Sequence, residues 1–164
     1  MPLPGLLTDL LAAGRWRHPG DDVVREVIPW FESPLVFLTS VGQMRWESQS
    51  LDLFADESRG SELFREVRGS VVGAVELPWL DVELAFFVAV NRVPGDDVAI
   101  ALDYRSDPSD PRVVASDIWT EPEPLQCAWR IVAPTLSAFA DSLGLLAEQP
   151  VAGFPAGEAG DKVV

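Results

Sequence analysis

The sequence predicts an α+β fold in which N-terminal helices precede a four-stranded antiparallel meander and a C-terminal helix packs on the sheet. Apolar residues recur at helical spacing up to Asp81, the period changes to two from Ala85, and helical spacing returns after Pro134. The 164 residues fit one domain. We assign it to residues 1–146 and expect the Gly-, Ala- and Pro-rich stretch 147–164 to be a flexible tail.

The N-terminal part is expected to contain three helices and a further helical segment. The first has a leucine stripe and ends at Gly14, and the second begins at Asp21 or Asp22 and ends before Pro29. Ser33-Pro34 is typical of a helix start, which predicts a third helix with Leu35, Leu38 and Val41 on its apolar face. A polar, mobile connection is expected over 48–60, followed by a short helical segment through Leu63, Phe64 and Val67.

Four strands follow, and turn residues separate them. The first is Ala85–Asn91, which is rich in aromatic and β-branched residues, and the second is Val98–Tyr104, whose alternation predicts a sheet with one covered face. A third strand is expected around Val113-Val114 and a fourth over Cys127–Val132. The last helix opens at Pro134, presents Leu136, Phe139, Ala140 and Leu143 on one face, and ends at Gly144.

Composition excludes several classes of partner. With 26 acids against 12 bases, the net charge of −14 opposes binding to nucleic acid or anionic lipid and favours basic protein partners. The single cysteine, Cys127, cannot form an internal disulfide, the N-terminus does not resemble a signal peptide, and the apolar run Leu84–Val90 is too short to span a bilayer. We therefore expect a cytoplasmic monomer that binds neither nucleic acid nor membrane.

Few residues are available for catalysis. His18 lies in a His-Pro-Gly turn, and Cys127 lies in a predicted strand, where a buried structural thiol is expected. The Asp-rich turn of Asp103, Asp107 and Asp110 lacks the ligand spacing of a calcium loop. Glycoside hydrolases use two carboxylates at a defined separation. With 26 acids in the chain, some pair of carboxylates will lie at that separation by chance, so such a pair is weak evidence for a hydrolase. We expect no catalytic residue, no metal and no cofactor.

Acids are concentrated between Pro94 and Pro124, where eight acids accompany only two bases, Arg105 and Arg112. Most lie in predicted turns, so they could form a rim along the sheet that is either merely solvated or a docking surface for a basic protein. Trp119 beside them is either an anchor for the partner or part of the core. We call this set the acidic rim: Asp96, Asp97, Asp103, Asp107, Asp110, Asp117, Trp119, Glu121 and Glu123.

Three segments in order resemble the SUKH superfamily: Gly95–Tyr104 with its Gly-Asp turn and Leu-Asp ending, Pro111–Val114, and Trp129–Phe139. The resemblance covers about Pro29 to Leu145, although the family's usual Leu-Pro opening and Asn-Gly-Gly segment are absent. That superfamily includes Smi/Knr-type cell-wall regulators and many bacterial immunity proteins. The resemblance implies an α+β fold without catalytic residues, and an immunity protein that neutralises a basic, nuclease-type toxin. The alternative is a resident regulatory scaffold that binds endogenous proteins.

Overall fold

The computed structural model describes residues 2–32, 34–55, 80–81, 84–93, 98–117 and 128–147. Within these ranges the fold is α+β, with four helices and one antiparallel sheet in the order β1-β2-β3-β4-β5. In chain order the elements are α1 (Gly5–Ala12), α2 (Asp21–Val27), β1 (Leu35–Phe37), α3 (Val41–Ala55), β2 (Ala85–Asn91), β3 (Ala99–Asp103), β4 (Arg112–Asp117), β5 (Ala128–Ala133) and α4 (Leu136–Ser142).

The first and last helices end as their sequences predict. Gly14 after α1 and Gly144 after α4 have φ of +64° and +69°, in the left-handed region that glycine adopts without steric cost. The start of α4 is capped by Thr135, whose Oγ1 accepts a hydrogen bond from the backbone N–H of Ala138 at 3.1 Å. Leu136, Phe139, Ala140 and Leu143 are buried, as the apolar stripe predicts.

The predicted third helix at Ser33-Pro34 is wrong, because residues 35–37 form the edge strand β1. Leu35 and Phe37 are buried while Val36 is 40% exposed, which is the alternation of a strand. The strand pairs with β2, with Val36 opposite Val90. Pairing with a strand more than fifty residues away decides this segment, and local spacing does not detect such pairing.

The helix that follows begins at Val41, seven residues after Pro34, and continues through the expected mobile connection as far as Ala55. Ser40 Oγ accepts a hydrogen bond from the N–H of Gln43, and Gln43 Oε1 accepts from the N–H of Thr39. This reciprocal arrangement resembles a capping box, whose Ser-x-x-Gln signature is present in the sequence at Ser40–Gln43. The prediction of a mobile segment over 48–55 is therefore wrong; the later helical segment around Leu63–Val67 lies outside the described residues.

The central strand β3 is covered on both faces, whereas its alternation predicts one covered face. All five residues of β3 are buried, and successive strand residues point to opposite faces. Bulges in β2 between Phe87 and Ala89, and in β5 opposite Val113 and Val114, shift the register locally. At the β2 bulge the N–H of Phe87 donates to Ser48 Oγ of α3 at 2.9 Å.

One aromatic cluster links the N-terminal helices to the sheet and to α4. Trp16, which is 1% exposed, lies 5.4 Å from the ring of Phe37 and 6.5 Å from that of Phe139. Arg15 beside it donates from Nη2 to the carbonyl of Leu145 at 2.6 Å. The two ends of the described chain are therefore joined by both apolar packing and a hydrogen bond.

Candidate functional site

A buried carboxylate with several hydrogen bonds, that of Asp103, lies at the end of β3. This carboxylate is fully buried and receives hydrogen bonds from the Arg105 side chain to both oxygens, each at 2.9 Å, and from Arg112 Nε at 2.8 Å. The backbone N–H of Arg105 donates to it as well, at 3.1 Å. Burial by itself raises the pKa of Asp103, but these hydrogen bonds outweigh it and hold the pKa below its usual value.

This cluster is a structural ion pair network. The guanidinium groups of Arg105 and Arg112 are themselves 9% and 17% exposed, and both groups have further partners. Asp103 is also the residue opposite Arg112 in the β3–β4 register. The Asp103 carboxylate thus fixes the start of β4 and the turn before this strand. Because the carboxylate is fully buried, a partner protein cannot contact it.

The turn between β3 and β4 uses its acids to bond its own chain. Asp107 is exposed and accepts hydrogen bonds from the N–H and the hydroxyl of Ser109, at 2.8 and 2.7 Å. Those bonds lower the pKa of Asp107. Asp110 accepts from the N–H and the hydroxyl of Ser137, at 3.0 and 2.6 Å, and so ties the turn to the first turn of α4.

A second buried carboxylate lies at the far end of β4. Asp117 is 1% exposed and its Oδ2 lies 2.5 Å from Nε of Arg130 on β5. The guanidinium carbon of Arg130 lies 5.9 Å from the ring centroid of Trp30. The indole of Trp30 in turn donates to the backbone carbonyl of Ser116 at 3.1 Å. Arg130 is therefore held between a carboxylate and an aromatic ring.

The acidic rim is only partly a surface. Asp103 and Asp117 are buried and paired with arginines, so the expectation that they are exposed on the rim is wrong; burying a carboxylate is tolerated here because each one has a guanidinium partner. Asp107 is exposed, and Asp110 is half-buried against α4. The remaining rim residues lie outside the described part of the chain: Asp96, Asp97, Trp119, Glu121 and Glu123.

Exposed acids also occur outside residues 94–124, on three of the helices and before β1. Asp9 on α1, Asp22 and Glu26 on α2, Glu32 before β1 and Asp141 on α4 are all exposed. On α2, Arg25 compensates for Asp22 alone, at 3.3 Å. For the four acids on helices, helical spacing is the available sequence signal, because each lies away from the apolar stripe of its helix.

His18 is held in the turn before α2. Its Nδ1 accepts a hydrogen bond from the N–H of Gly20 at 3.0 Å, Nε2 lies 3.2 Å from Asp21 Oδ1, and the ring stands edge-on to Phe37. Cys127 lies outside the described residues. Across the ranges that the structure describes, no three His, Cys, Asp or Glu side chains are grouped so that they could hold a metal ion.

Among the described helices, none combines the length and apolar character needed to cross a bilayer.

Comparison of the chain with protein-family models, with curated proteins and with solved structures found no match.

Proposed function

We propose that this chain is a non-enzymatic, acidic protein-binding module that captures a basic protein in the cytoplasm, and that the captured protein is a nuclease-type toxin which the module neutralises. The observation that carries the proposal is the net charge of −14, together with exposed acids on both the β3–β4 turn and the helices. A nuclease is basic where it holds phosphate, so an acidic protein is complementary to its active surface. The SUKH resemblance supports the same class of function.

The structure narrows the set of acids that can take part. Asp103 and Asp117 belong to the interior, and Asp110 is engaged with Ser137. The proposed contact acids are thus Asp107 and the four others of the rim that lie outside the described ranges: Asp96, Asp97, Glu121 and Glu123. Trp119 remains the proposed aromatic anchor beside them.

The test begins with capture of the partner. The purified chain is immobilised and exposed to the secreted and intracellular proteins of its source cell, and the bound proteins are identified by mass spectrometry. We expect a basic protein whose nuclease activity falls when the chain is added in equal amount. Capture of a resident protein without toxic activity would instead favour the regulatory scaffold, and a partner without net positive charge would contradict the electrostatic argument.

Binding kinetics then locate the surface. Long-range attraction is screened over about 8 Å at physiological ionic strength, so the association rate should fall as salt rises. Asp107→Asn removes a charge but keeps an oxygen that accepts from Ser109, so it should lower the association rate without unfolding the turn. The matched control is Asp9→Asn on α1, which removes the same charge at an exposed position distant in sequence from Asp107. Equal effects of the two variants would show that net charge alone matters.

The same measurement tests the proposal that no catalytic group is involved. His18→Ala and Cys127→Ala should each leave partner binding unchanged, since His18 is engaged in its own turn. Loss of binding or of neutralisation in either variant, with the thermal stability preserved, would show that the side chain acts on the partner directly.

A further inference from the structure

The turn that leads into α2 is held by a histidine side chain. Gly20, the N-cap residue of α2, has φ of +120° and, having no side chain, cannot cap the helix itself. Its N–H instead donates to Nδ1 of His18, two residues earlier in the chain, at 3.0 Å. Asparagine and aspartate accept the same bond in Asx turns, with a side-chain oxygen as the acceptor. His18 therefore takes the place of an Asx residue at the start of α2.

The bond to Gly20 also fixes the protonation state of the ring. A neutral imidazole carries one proton, and the nitrogen that accepts a hydrogen bond is the one without it. Since Nδ1 accepts from Gly20, the proton is on Nε2, which lies 3.2 Å from Asp21 Oδ1. A second proton would go on Nδ1, where two N–H groups would then face each other. This turn geometry therefore requires a neutral His18.

The charged side chain in contact with His18 is Asp21, and its charge favours the protonated ring. That attraction is weak, because the Asp21 side chain is 48% exposed and its geometry with Nε2 is not that of a hydrogen bond. From β1 the contact is Phe37, an uncharged and buried ring whose centroid lies 5.4 Å away. Arg17, the preceding residue, is exposed, and its charge opposes a second positive charge. Loss of the Gly20 bond therefore outweighs the attraction to Asp21.

From these contacts we infer that His18 is a pH-sensitive latch on α2: protonation of its ring breaks the bond to Gly20 and loosens the first turn of the helix. Histidine is the side chain that changes its charge between about pH 5 and 8. The N–H of Val24 donates to the carbonyl of Gly20 at 3.1 Å, so a displaced Gly20 weakens the first backbone bond of α2. The inference goes beyond the proposed function, because none of the acids proposed to contact the partner takes part.

Amide hydrogen exchange followed by NMR tests the latch, with each rate corrected for the effect of pH on exchange from an unfolded chain. A one-proton equilibrium changes the protection by at most about tenfold per pH unit. In the wild type, the protection of the Gly20 and Val24 amides should fall by roughly tenfold between about pH 7.5 and about pH 5.5. The amides of β3 are the internal reference and should stay protected. NMR signals of the ring nitrogens should show, at neutral pH, that Nδ1 carries no proton.

Two variants reproduce the two states of the latch. His18→Asn keeps an acceptor as many bonds from the backbone as Nδ1, but the amide oxygen does not ionise, so α2 should stay protected at both pH values. His18→Ala has no acceptor, and the same amides should be weakly protected at both. Asp21→Asn removes the charge that favours protonation, so the transition should move to lower pH. Its matched control is Asp22→Asn, which removes an equal charge from a side chain that is 99% exposed and should leave the transition unchanged.

Several outcomes would overturn the inference. Protection of α2 that stays constant or rises on acidification would show that the attraction to Asp21 prevails over the bond to Gly20. A fall that persists in His18→Asn would assign the pH dependence to another group. Wild-type protection in His18→Ala at neutral pH, or a ring proton on Nδ1, would show that the bond does not hold the turn. Thermal unfolding at both pH values verifies that each variant remains folded.

Discussion

Replacing Asp103 by Asn should strongly destabilise the fold, because it removes the negative charge that compensates two nearly buried guanidinium groups. Arg105 and Arg112 are 9% and 17% exposed, and both donate to this carboxylate. Breaking a buried ion pair costs about 3–5 kcal/mol, and we expect the lower end, about 3 kcal/mol, since both arginines keep some contact with water. For a domain of this size that corresponds to a fall in Tm of roughly 6–12 °C.

The pH dependence of the same variant has a definite sign. The pKa of Asp103 is lowered in the folded chain, so its carboxylate contributes stability that is fully present above the unfolded value and is lost as the pH falls through the folded value. The difference in Tm between wild type and Asp103→Asn should therefore be largest near neutral pH and should shrink below about pH 4. Differential scanning calorimetry over this range measures both quantities.

Asp107→Asn is the matched control for Asp103→Asn. The pKa of Asp107 is also lowered, but this side chain is fully exposed and bonds only its own turn, so its replacement should change Tm little. An Asp103→Asn protein with wild-type Tm at neutral pH would refute the reasoning. A difference that stayed constant down to strongly acidic pH would show that shape, rather than charge, accounts for the cost.

Three further substitutions test the packing and ends of α4. Phe139→Ala should lower the free energy of unfolding by about 3–5 kcal/mol in urea denaturation, because the ring is fully buried beside Trp16; a loss well under 1 kcal/mol would contradict this packing. Thr135→Ala should cost about 0.5–2 kcal/mol by removal of the cap, whereas Thr135→Ser should be nearly neutral. Gly144→Ala should cost about 1–2 kcal/mol because φ is +69°, while the same change at helical Gly42 should stabilise by roughly 0.5–1 kcal/mol; equal effects would refute the backbone argument.

Local sequence patterns predict correctly those elements whose conformation is determined by their own residues. Strand β2 occurs at the predicted residues Ala85–Asn91, and α4 has the predicted buried face. The prediction of a helix over Leu35–Phe37 is wrong because Leu35, Leu38 and Val41 fit helical spacing although the segment forms a strand. Its conformation depends on pairing with β2, which is a tertiary effect.

The candidate site was harder to predict than the fold. A count of charges treats all acids alike. In the structure, Asp103 and Asp117 are buried and paired with arginines, whereas Asp107 is exposed to solvent. Alternation along Val98–Tyr104 predicts a strand that contains Asp103, and Arg105 lies two residues further along the sequence. That combination was the available signal for a buried pair. The fixed position of Arg130 depends on Trp30, which is a hundred residues away in sequence, and no local pattern indicates it.

The contacts of Trp30 and Arg15 also determine the order in which the chain can assemble. Strands β2 to β5 pair in chain order, so each pairing joins neighbouring elements. Trp30, by contrast, donates to Ser116, and Arg15 donates to Leu145, contacts that span 86 and 130 residues. Because closing a long loop costs entropy before its contacts form, we expect the meander to form first and the N-terminal helices to dock last. In native-state hydrogen exchange, α1 and α2 should then open at lower free energy than β3.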